Sequence, residues 1–440
     1  MDSRLDRRAF LSALGGIGLS SAAARMVGAQ APAPSSRPVL ERSDFRLLGH
    51  YDVQTAEGNS VYAQGLTHRY VNGDFRLLNW QLGERLDEFS LAGRPFGSRI
   101  SAPTRTWSKI GGALDFKSIW WDEAANRLWS VSAIDYAAYV VPTQIYTRKL
   151  NDDGTISDLR GPVGLSGITA KRVYGGAQAV PPWFQRQYGT GPYVVGWGGY
   201  TSLVAQGGTA SLGPTMYAIP DPQNFAPEAQ IPGTAFRTIM DCSSGSSVED
   251  WYLKTGAKTP STFDRGVRLS PVTNFFDGND TATPGPPNSR PTGAPVPGNW
   301  RSPAPDGLGR WTWGDTYYGT GCWIDGPNKQ GFVLIANLGG GTVWYANSTL
   351  HFDRRDFEFH VYDPAHFGEV LRGSRAVWNV KPAQLWNERF EGYGDWTFEG
   401  NGTVSNIAAA TYDPVTRRLY ALGFGAPAYS NRLFVYQVNA

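Results

Sequence analysis

The sequence predicts an all-β protein, a β-propeller with five blades, from two observations. First, the 440 residues include 53 glycines and 30 prolines, nearly a fifth of the chain. The usual share is about 12%, so this composition favours many turns over long helices. Second, a β-hairpin followed by a third strand recurs five times along the chain. No sustained helical periodicity interrupts this pattern, so we expect five sheet units.

The recurring hairpin consists of an apolar strand, a turn rich in Asp, Asn, Gly or Pro, and a second apolar strand. Its copies lie at 70–78, 120–129, 179–195, 323–332 and 411–420, of which 179–195 is the most degenerate. Asp122, Asp325 and Asp413 open three of the turns, and we assign them a structural role. Third-strand candidates with alternating aromatic or β-branched residues follow at 87–91, 144–150, 215–220, 357–362 and 432–438.

The two ends of the chain predict how the ring closes. Residues 44–52 form a strand with no hairpin partner nearby, whereas 432–438 is the third strand of the last unit. The first strand can therefore complete the last blade, which hides the edges of both sheets. Two β-sandwiches are the main alternative, and the weak pattern of 240–308 leaves six or seven blades open. Short helical turns are expected at 221–228 and 364–371.

The first 29 residues resemble a twin-arginine export signal. Arg7 and Arg8 precede Phe10, Leu11 and a Gly/Ala/Ser-rich apolar run that is too short to anchor in a membrane. Asp6 stands where such signals usually carry Ser or Thr. The resemblance implies a bacterial protein that uses the twin-arginine translocase during export and resides in the periplasm or outside the cell. The expected organisation is therefore a signal peptide (1–29), a Pro/Ala/Ser linker (30–43) and a propeller (44–440) with a Pro/Gly-rich insertion at about 280–306.

Charge and composition exclude several classes of partner and cofactor. The chain has 40 basic and 38 acidic residues, and cleavage after residue 29 would leave 36 of each. This balance predicts neither nucleic-acid binding nor membrane association after cleavage. Two cysteines and five scattered histidines exclude a four-cysteine metal site and argue against a redox or metal enzyme. We expect no cofactor, although an Asp-Gly-Asn-Asp run at 277–280 is a weak Ca²⁺ candidate that is more often a simple turn.

Cys242 and Cys322 are the two cysteines, and export would bring them into an oxidising compartment. A disulfide between them would close a loop of about 80 residues and stabilise the fold by roughly 4–5 kcal/mol. Two buried free thiols are the alternative, and only the distance between the residues separates the two cases.

Candidate site residues come from the places where the innermost strand of each blade begins, because these strands line the central channel. Asp115 and Asp315 are the catalytic candidates, since paired carboxylates are what glycosidic hydrolysis requires. The binding candidates are amides at the equivalent positions and aromatic residues near glycines, whose flat faces suit sugar rings or packing between blades. They are Gln64, Gln178, Trp197, Tyr200, Trp313, Tyr317, Tyr318 and Asn406.

This exported, five-unit pattern resembles the five-bladed propellers of many secreted glycoside hydrolases and some lectins. The resemblance implies that acids from different inner strands meet at one mouth of the channel, with Asp115 and Asp315 at the matching positions. The chain lacks a sialidase-type Ser-x-Asp-x-Gly-x-Thr-Trp box and a third inner-strand acid. The expected function is therefore hydrolysis or binding of a glycan or other small polar ligand at the channel mouth. A non-catalytic, lectin-like binding or scaffold propeller is the alternative.

Overall fold

Five small sheets surround a central axis in the computed structural model, and each consists mainly of antiparallel strands. The predicted five-bladed β-propeller is therefore confirmed. The structure describes residues 37–53, 63–81, 85–108, 116–132, 144–167, 175–197, 215–241, 315–316, 320–346, 349–393, 406–426 and 430–440.

Blades one to three follow one another along the chain, each with its innermost strand first. Blade one contains β2 (Ala63–Val71), β3 (Asp74–Gln81), β4 (Arg85–Ser90) and β6 (Arg105–Ser108). Blade two contains β7 (Phe116–Asp122), β8 (Arg127–Ser132), β9 (Gln144–Leu150), β10 (Ile156–Leu165) and the short β14 (Gln230–Ile231). Blade three contains β11 (Ala177–Ala179), β12 (Tyr193–Gly196), β13 (Thr215–Ile219) and β15 (Arg237–Asp241).

Blades four and five complete the ring. Blade four has an inner edge in two pieces, β16 (Asp315–Thr316) and β17 (Cys322–Asp325), followed by β18 (Gln330–Ala346), β19 (Thr349–Tyr362) and β20 (Gln384–Glu388). Blade five contains β21 (Asn406–Asp413), β22 (Arg418–Ala426), β23 (Ser430–Val438), β1 (Phe45–Val53) and the short β5 (Arg99–Ile100). The described residues also form α1 (Pro182–Tyr188), α2 (Pro364–Leu371) and 3₁₀ turns at Arg42–Asp44, Pro222–Asn224 and Val377–Asn379.

The helix α1 is the main departure from the predicted pattern, because it replaces the turn expected between β11 and β12. Pro181 and Pro182 cannot donate to a strand ladder, but proline fits the first turn of a helix, where no intrahelical donor is needed. Gly189 ends the helix in the left-handed conformation, with φ of 62°.

The turn aspartates hold their own hairpins and also contact the neighbouring blade. Asp122 accepts a hydrogen bond from the Ala125 N–H (3.1 Å) and another from the Tyr193 hydroxyl of blade three (2.9 Å). Asp413 likewise accepts from the Val415 N–H (3.0 Å) and from the Tyr70 hydroxyl of blade one (2.7 Å). Both residues therefore serve the structure, as the repeat predicts.

Among the described residues, five apolar clusters form the core, one between each pair of neighbouring blades. Every sheet thus buries both faces, and in β21 all eight residues are buried. Aromatic rings fill the spaces between neighbouring sheets. The ring centroids of Trp129 and Tyr193 lie 4.4 Å apart between blades two and three. Phe75 and Tyr420 stack at 5.0 Å between blades one and five.

The interface between blades one and two also holds a buried ion pair. The Arg69 guanidinium lies 2.5 Å from the Glu88 carboxylate, and both side chains are about 5% exposed. The same guanidinium lies over the rings of Trp107 (5.0 Å) and Trp121 (5.4 Å). Because the Arg69 guanidinium is buried away from water, its charge is stabilised chiefly by the Glu88 carboxylate.

We expect Glu88→Gln to lower the free energy of unfolding by about 3 kcal/mol, because it leaves a buried charge without its counter-ion. Urea unfolding measures the loss. The matched control is Asp74→Asn, which breaks the exposed Arg76–Asp74 pair of the same blade (3.1 Å) and should cost less than about 1 kcal/mol. Equal losses in the two variants would contradict a special role for the buried pair.

Candidate functional site

The inner strands of all five blades surround a small cavity of about 40 Å³ on the axis. One water molecule needs roughly 10–15 Å³, so this space suits a few waters and is far below the usual volume of a ligand pocket. Its lining includes Thr67, His68, Trp120, Gln178, Trp197, Cys322, Thr411 and Tyr412.

Several polar side chains of this lining bond to the next blade. The Thr67 hydroxyl accepts a hydrogen bond from the backbone N–H of Trp121 (3.0 Å), and this bond joins blades one and two. The Gln178 side-chain oxygen accepts a hydrogen bond from the backbone N–H of Trp323 (2.7 Å), and this bond joins blades three and four. His68 Nδ1 and the Thr411 hydroxyl lie 2.9 Å apart, which joins blades one and five. These groups therefore hold the ring together at its narrowest part.

His68 is the titratable imidazole of this cavity. Its burial lowers the pKa to about 4, although the Asp413 carboxylate nearby opposes the change. Burial and the hydrogen bond to Asp413 together raise the pKa of Tyr70 well above its usual range. At neutral pH the imidazole and the phenol are therefore both uncharged, and His68 presents a neutral imidazole to the cavity.

Trp197 forms the wall of the cavity beside blade three. It is 1% exposed and adopts a left-handed backbone with φ of 57°. A β-carbon at Gly176 would overlap its ring, and one at Gly321 would lie 2.6 Å from its Nε1. The structure thus favours packing between blades for this residue, since a sugar-stacking platform needs an open face.

Three other predicted residues lie at or next to the first residue of an inner strand, at the end of the ring away from the hairpin turns. Gln64 is the second residue of β2, Asp315 the first of β16 and Asn406 the first of β21. Asn406 is 3% exposed, whereas the side chains of Gln64 and Asp315 lie outside the described residues. The remaining predictions also lie outside them: Asp115, which immediately precedes β7, and Tyr200, Trp313, Tyr317 and Tyr318.

A two-stranded ribbon extends at this same end. Strands β18 and β19 pair as far as Ala346 and Thr349, whereas β16 and β20 accompany them only beside 337–338 and 357–361. Residues 339–346 and 349–355 therefore pair only with each other within the described part of the chain. Trp344 and Tyr345 belong to this ribbon.

Other predictions depend partly on residues outside the described set. Cys322 is buried with a free thiol, and burial raises its pKa, but Cys242 is not described, so the disulfide stays a prediction. The signal peptide and the calcium candidate at 277–280 also lie outside. Within the described ranges, no three His, Cys, Asp or Glu residues come close enough to hold a metal ion. No helix in these ranges is long and apolar enough to cross a membrane.

Sequence reasoning missed Thr67, His68 and Thr411, which line the cavity. Only Thr411 had a signal, as a polar residue that follows the apolar run Ile407–Ala410 of β21. All three lie further along their inner strands than the positions at which the candidate residues stand.

No protein-family model matches the chain, and no curated protein matches it significantly. Solved structures match it at low identity. A member of the DUF4221 family from Bacteroides vulgatus is 8% identical with a TM-score of 0.36, over 91% of this chain and 99% of that one. The soluble aldose sugar dehydrogenase of Escherichia coli is 10% identical with a TM-score of 0.31, over 89% and 99%. Sqt1 of Saccharomyces cerevisiae is 10% identical with a TM-score of 0.24, over 88% and 87%. The function must therefore be argued from the chain's own residues.

The lowered pKa of His68 predicts a pH-dependent stability. Between about pH 6.5 and pH 4 the unfolded chain binds a proton that the folded chain excludes, so stability falls as pH falls through this window. The loss is on the order of 2 kcal/mol. His68→Gln should remove this component, seen in urea unfolding at pH 7 and pH 4.5. His50→Gln, on the outer strand β1, is the control, and a His68→Gln slope equal to that of the parent would refute the assignment.

Proposed function

We propose that the chain is a glycan-binding β-propeller of the bacterial periplasm or cell exterior. Its ligand would lie at the end of the ring where the inner strands begin. The observation that carries the proposal is the gathering of Gln64, Asp315 and Asn406 at that end. Below them the axial cavity measures only about 40 Å³, so a sugar would stop at the mouth.

The ribbon of β18 and β19 supports this location, because it extends at the same end and its backbone begins beside Asp315. Asp315 is paired with Leu338, immediately before the ribbon. Trp344 and Tyr345 lie on the ribbon, and aromatic residues suit the C–H faces of sugars.

Binding is favoured over hydrolysis by the chemistry of the described lining. The cavity is lined by hydroxyl, amide, imidazole and indole groups, and no carboxylate lies among them. Hydrolysis depends on Asp115 and Asp315 alone, since a retaining or inverting mechanism needs both an acid and a second carboxylate. Export through the twin-arginine translocase is the remaining part of the proposal and depends on the Arg7-Arg8 motif.

The test is a glycan array on residues 30–440, with release of reducing ends assayed for every hit. We expect saturable binding without release. Release of reducing ends would show that the protein is a hydrolase and not only a binding protein. Absence of binding to any glycan would refute the carbohydrate proposal. Replacing Arg7 and Arg8 by lysines in the full chain tests export separately, and we expect the protein to be retained in the cytoplasm.

Variants locate the binding site on the ring. Asp315→Asn and Asp115→Asn should each weaken binding of an array hit about 10-fold or more, since a hydrogen bond to a charged group contributes about 1.5–3 kcal/mol. The control is Asp153→Asn, in the β9–β10 turn at the opposite end, where the carboxylate accepts from the Thr155 N–H (2.8 Å). Calorimetric affinities that are equal in all three variants would place the ligand elsewhere.

A further inference from the structure

A groove of about 340 Å³ lies between blades five and one, at the end of the ring that carries the hairpin turns. Its volume falls within the usual range for small-molecule pockets. Four aromatic residues and two arginines dominate its lining: Tyr51, Phe75, Phe96, Tyr420, Arg94 and Arg418. The groove is at the opposite end from the proposed glycan site and is independent of it.

Flat rings form the walls of this groove. Phe75 and Tyr420 stack with 5.0 Å between ring centroids and 22° between planes. Tyr51 and Phe96 lie 5.2 Å apart, and Phe96 is 41% exposed. The groove therefore offers apolar faces that a planar ring can contact, with one wall reaching solvent.

Arg418 brings a charge into the groove without a carboxylate partner. Its Nε is buried and makes no hydrogen bond, whereas its side chain also bonds to the neutral Tyr420 phenol. The nearby groups are the phenols of Tyr51 and Tyr420. Burial raises the pKa of Tyr51, and it raises that of Tyr420 to about 12. Both phenols are therefore neutral at pH 7 and supply no counter-ion. Asp413, opposite Arg418 in the hairpin, accepts hydrogen bonds from the Tyr70 hydroxyl and the turn N–H groups instead.

The repeat supplies an internal comparison for this charge. Arg127 occupies the equivalent position in the hairpin of blade two, where it faces Asp122 as Arg418 faces Asp413. Arg127 lies 2.5 Å from the Asp158 carboxylate of β10. In blade five the fourth strand is β1, which brings Tyr51 to the groove instead. Arg418 therefore lacks the fourth-strand carboxylate with which Arg127 pairs.

The other charged groups of the groove leave its net charge positive. Asp74, on the rim, pairs with Arg76 at 3.1 Å. Arg94 is exposed, and its Nε donates to the Ser90 carbonyl at 3.1 Å. A partly buried guanidinium is most strongly stabilised by a planar anion that accepts two parallel hydrogen bonds.

We propose that this groove binds a small aromatic carboxylate, whose carboxylate pairs with Arg418 and whose ring lies against the aromatic walls.

The experiment titrates 2-naphthoate into the purified chain and follows ligand fluorescence, with 2-naphthamide as the neutral ligand of the same shape. We expect saturable binding of the acid, at least about 10-fold tighter than the amide. Equal binding of the two ligands, or no saturation up to about 10 mM acid, would overturn the proposal.

Variants separate the charge from the shape of the groove. Arg418→Met keeps an apolar stem and should weaken 2-naphthoate binding at least about 10-fold, while binding of the amide stays unchanged. Arg46→Met removes one exposed arginine from β1 of the same blade and should bind as the parent does. Thermal melting checks that each variant is folded. If Arg418→Met does not fold, Arg418→Lys keeps the charge without the fork and should bind with intermediate affinity, so undiminished binding would refute the role of Arg418.

Discussion

The pairing of β1 with β23 is the constraint on which the rest of the structure depends. It joins Phe45 to Val438 and Val53 to Asn431, so the beginning of the described chain completes the last blade. The Arg432–Asp52 ion pair crosses this seam at 2.9 Å, between residues 380 positions apart. Loop-closure entropy grows only slowly with chain length, so one strand pair can close the whole ring. Leu40 extends this seam to blade four, because its backbone N–H donates a hydrogen bond to the Gln330 carbonyl. Its side chain is fully buried.

Closure also decides where ligands can bind. Five sheets that bury both faces converge on the axis, and the space there is narrow enough to require glycines. At Gly65 a β-carbon would lie 2.8 Å from Ile119, and at Gly176 it would overlap Trp197. Groups that line so narrow a channel are used to join blades, as Gln178 and His68 are. A larger space lies at the hairpin end of the ring, where the groove between blades five and one measures about 340 Å³.

The sequence predicted the elements that have a local signal and missed those that have none. The third strand expected at 144–150 coincides with β9, and the helical turn at 364–371 with α2. Both are periodic or proline-started segments whose signal is local. The two-residue strands β5 and β14 join sheets of other blades and have no pattern of their own.

The strand positions of three candidate residues could be predicted from the sequence, whereas the contacts around the axis could not. The inner-strand positions of Gln64, Asp315 and Asn406 follow from counting back from each turn, which is a local property. The bond from Trp323 to Gln178 depends on how one sheet is rotated against the next, and hydrophobic periodicity does not encode that angle. The groove around Arg418 is assembled from β1, β3, β22 and the segment after β4, so no single stretch of sequence shows it.

Comparison between blades separates residues that serve the fold from those free to serve a ligand. Asp122 and Asp413 occupy equivalent turns and make equivalent bonds, each to its own turn and to a neighbouring tyrosine. Arg127 and Arg418 are equally matched in position but differ in partner. A partly buried charge without a counter-ion costs stability, so folding alone would favour an uncharged residue or an added carboxylate at position 418. The presence of arginine at this position is accounted for if a ligand supplies the counter-ion.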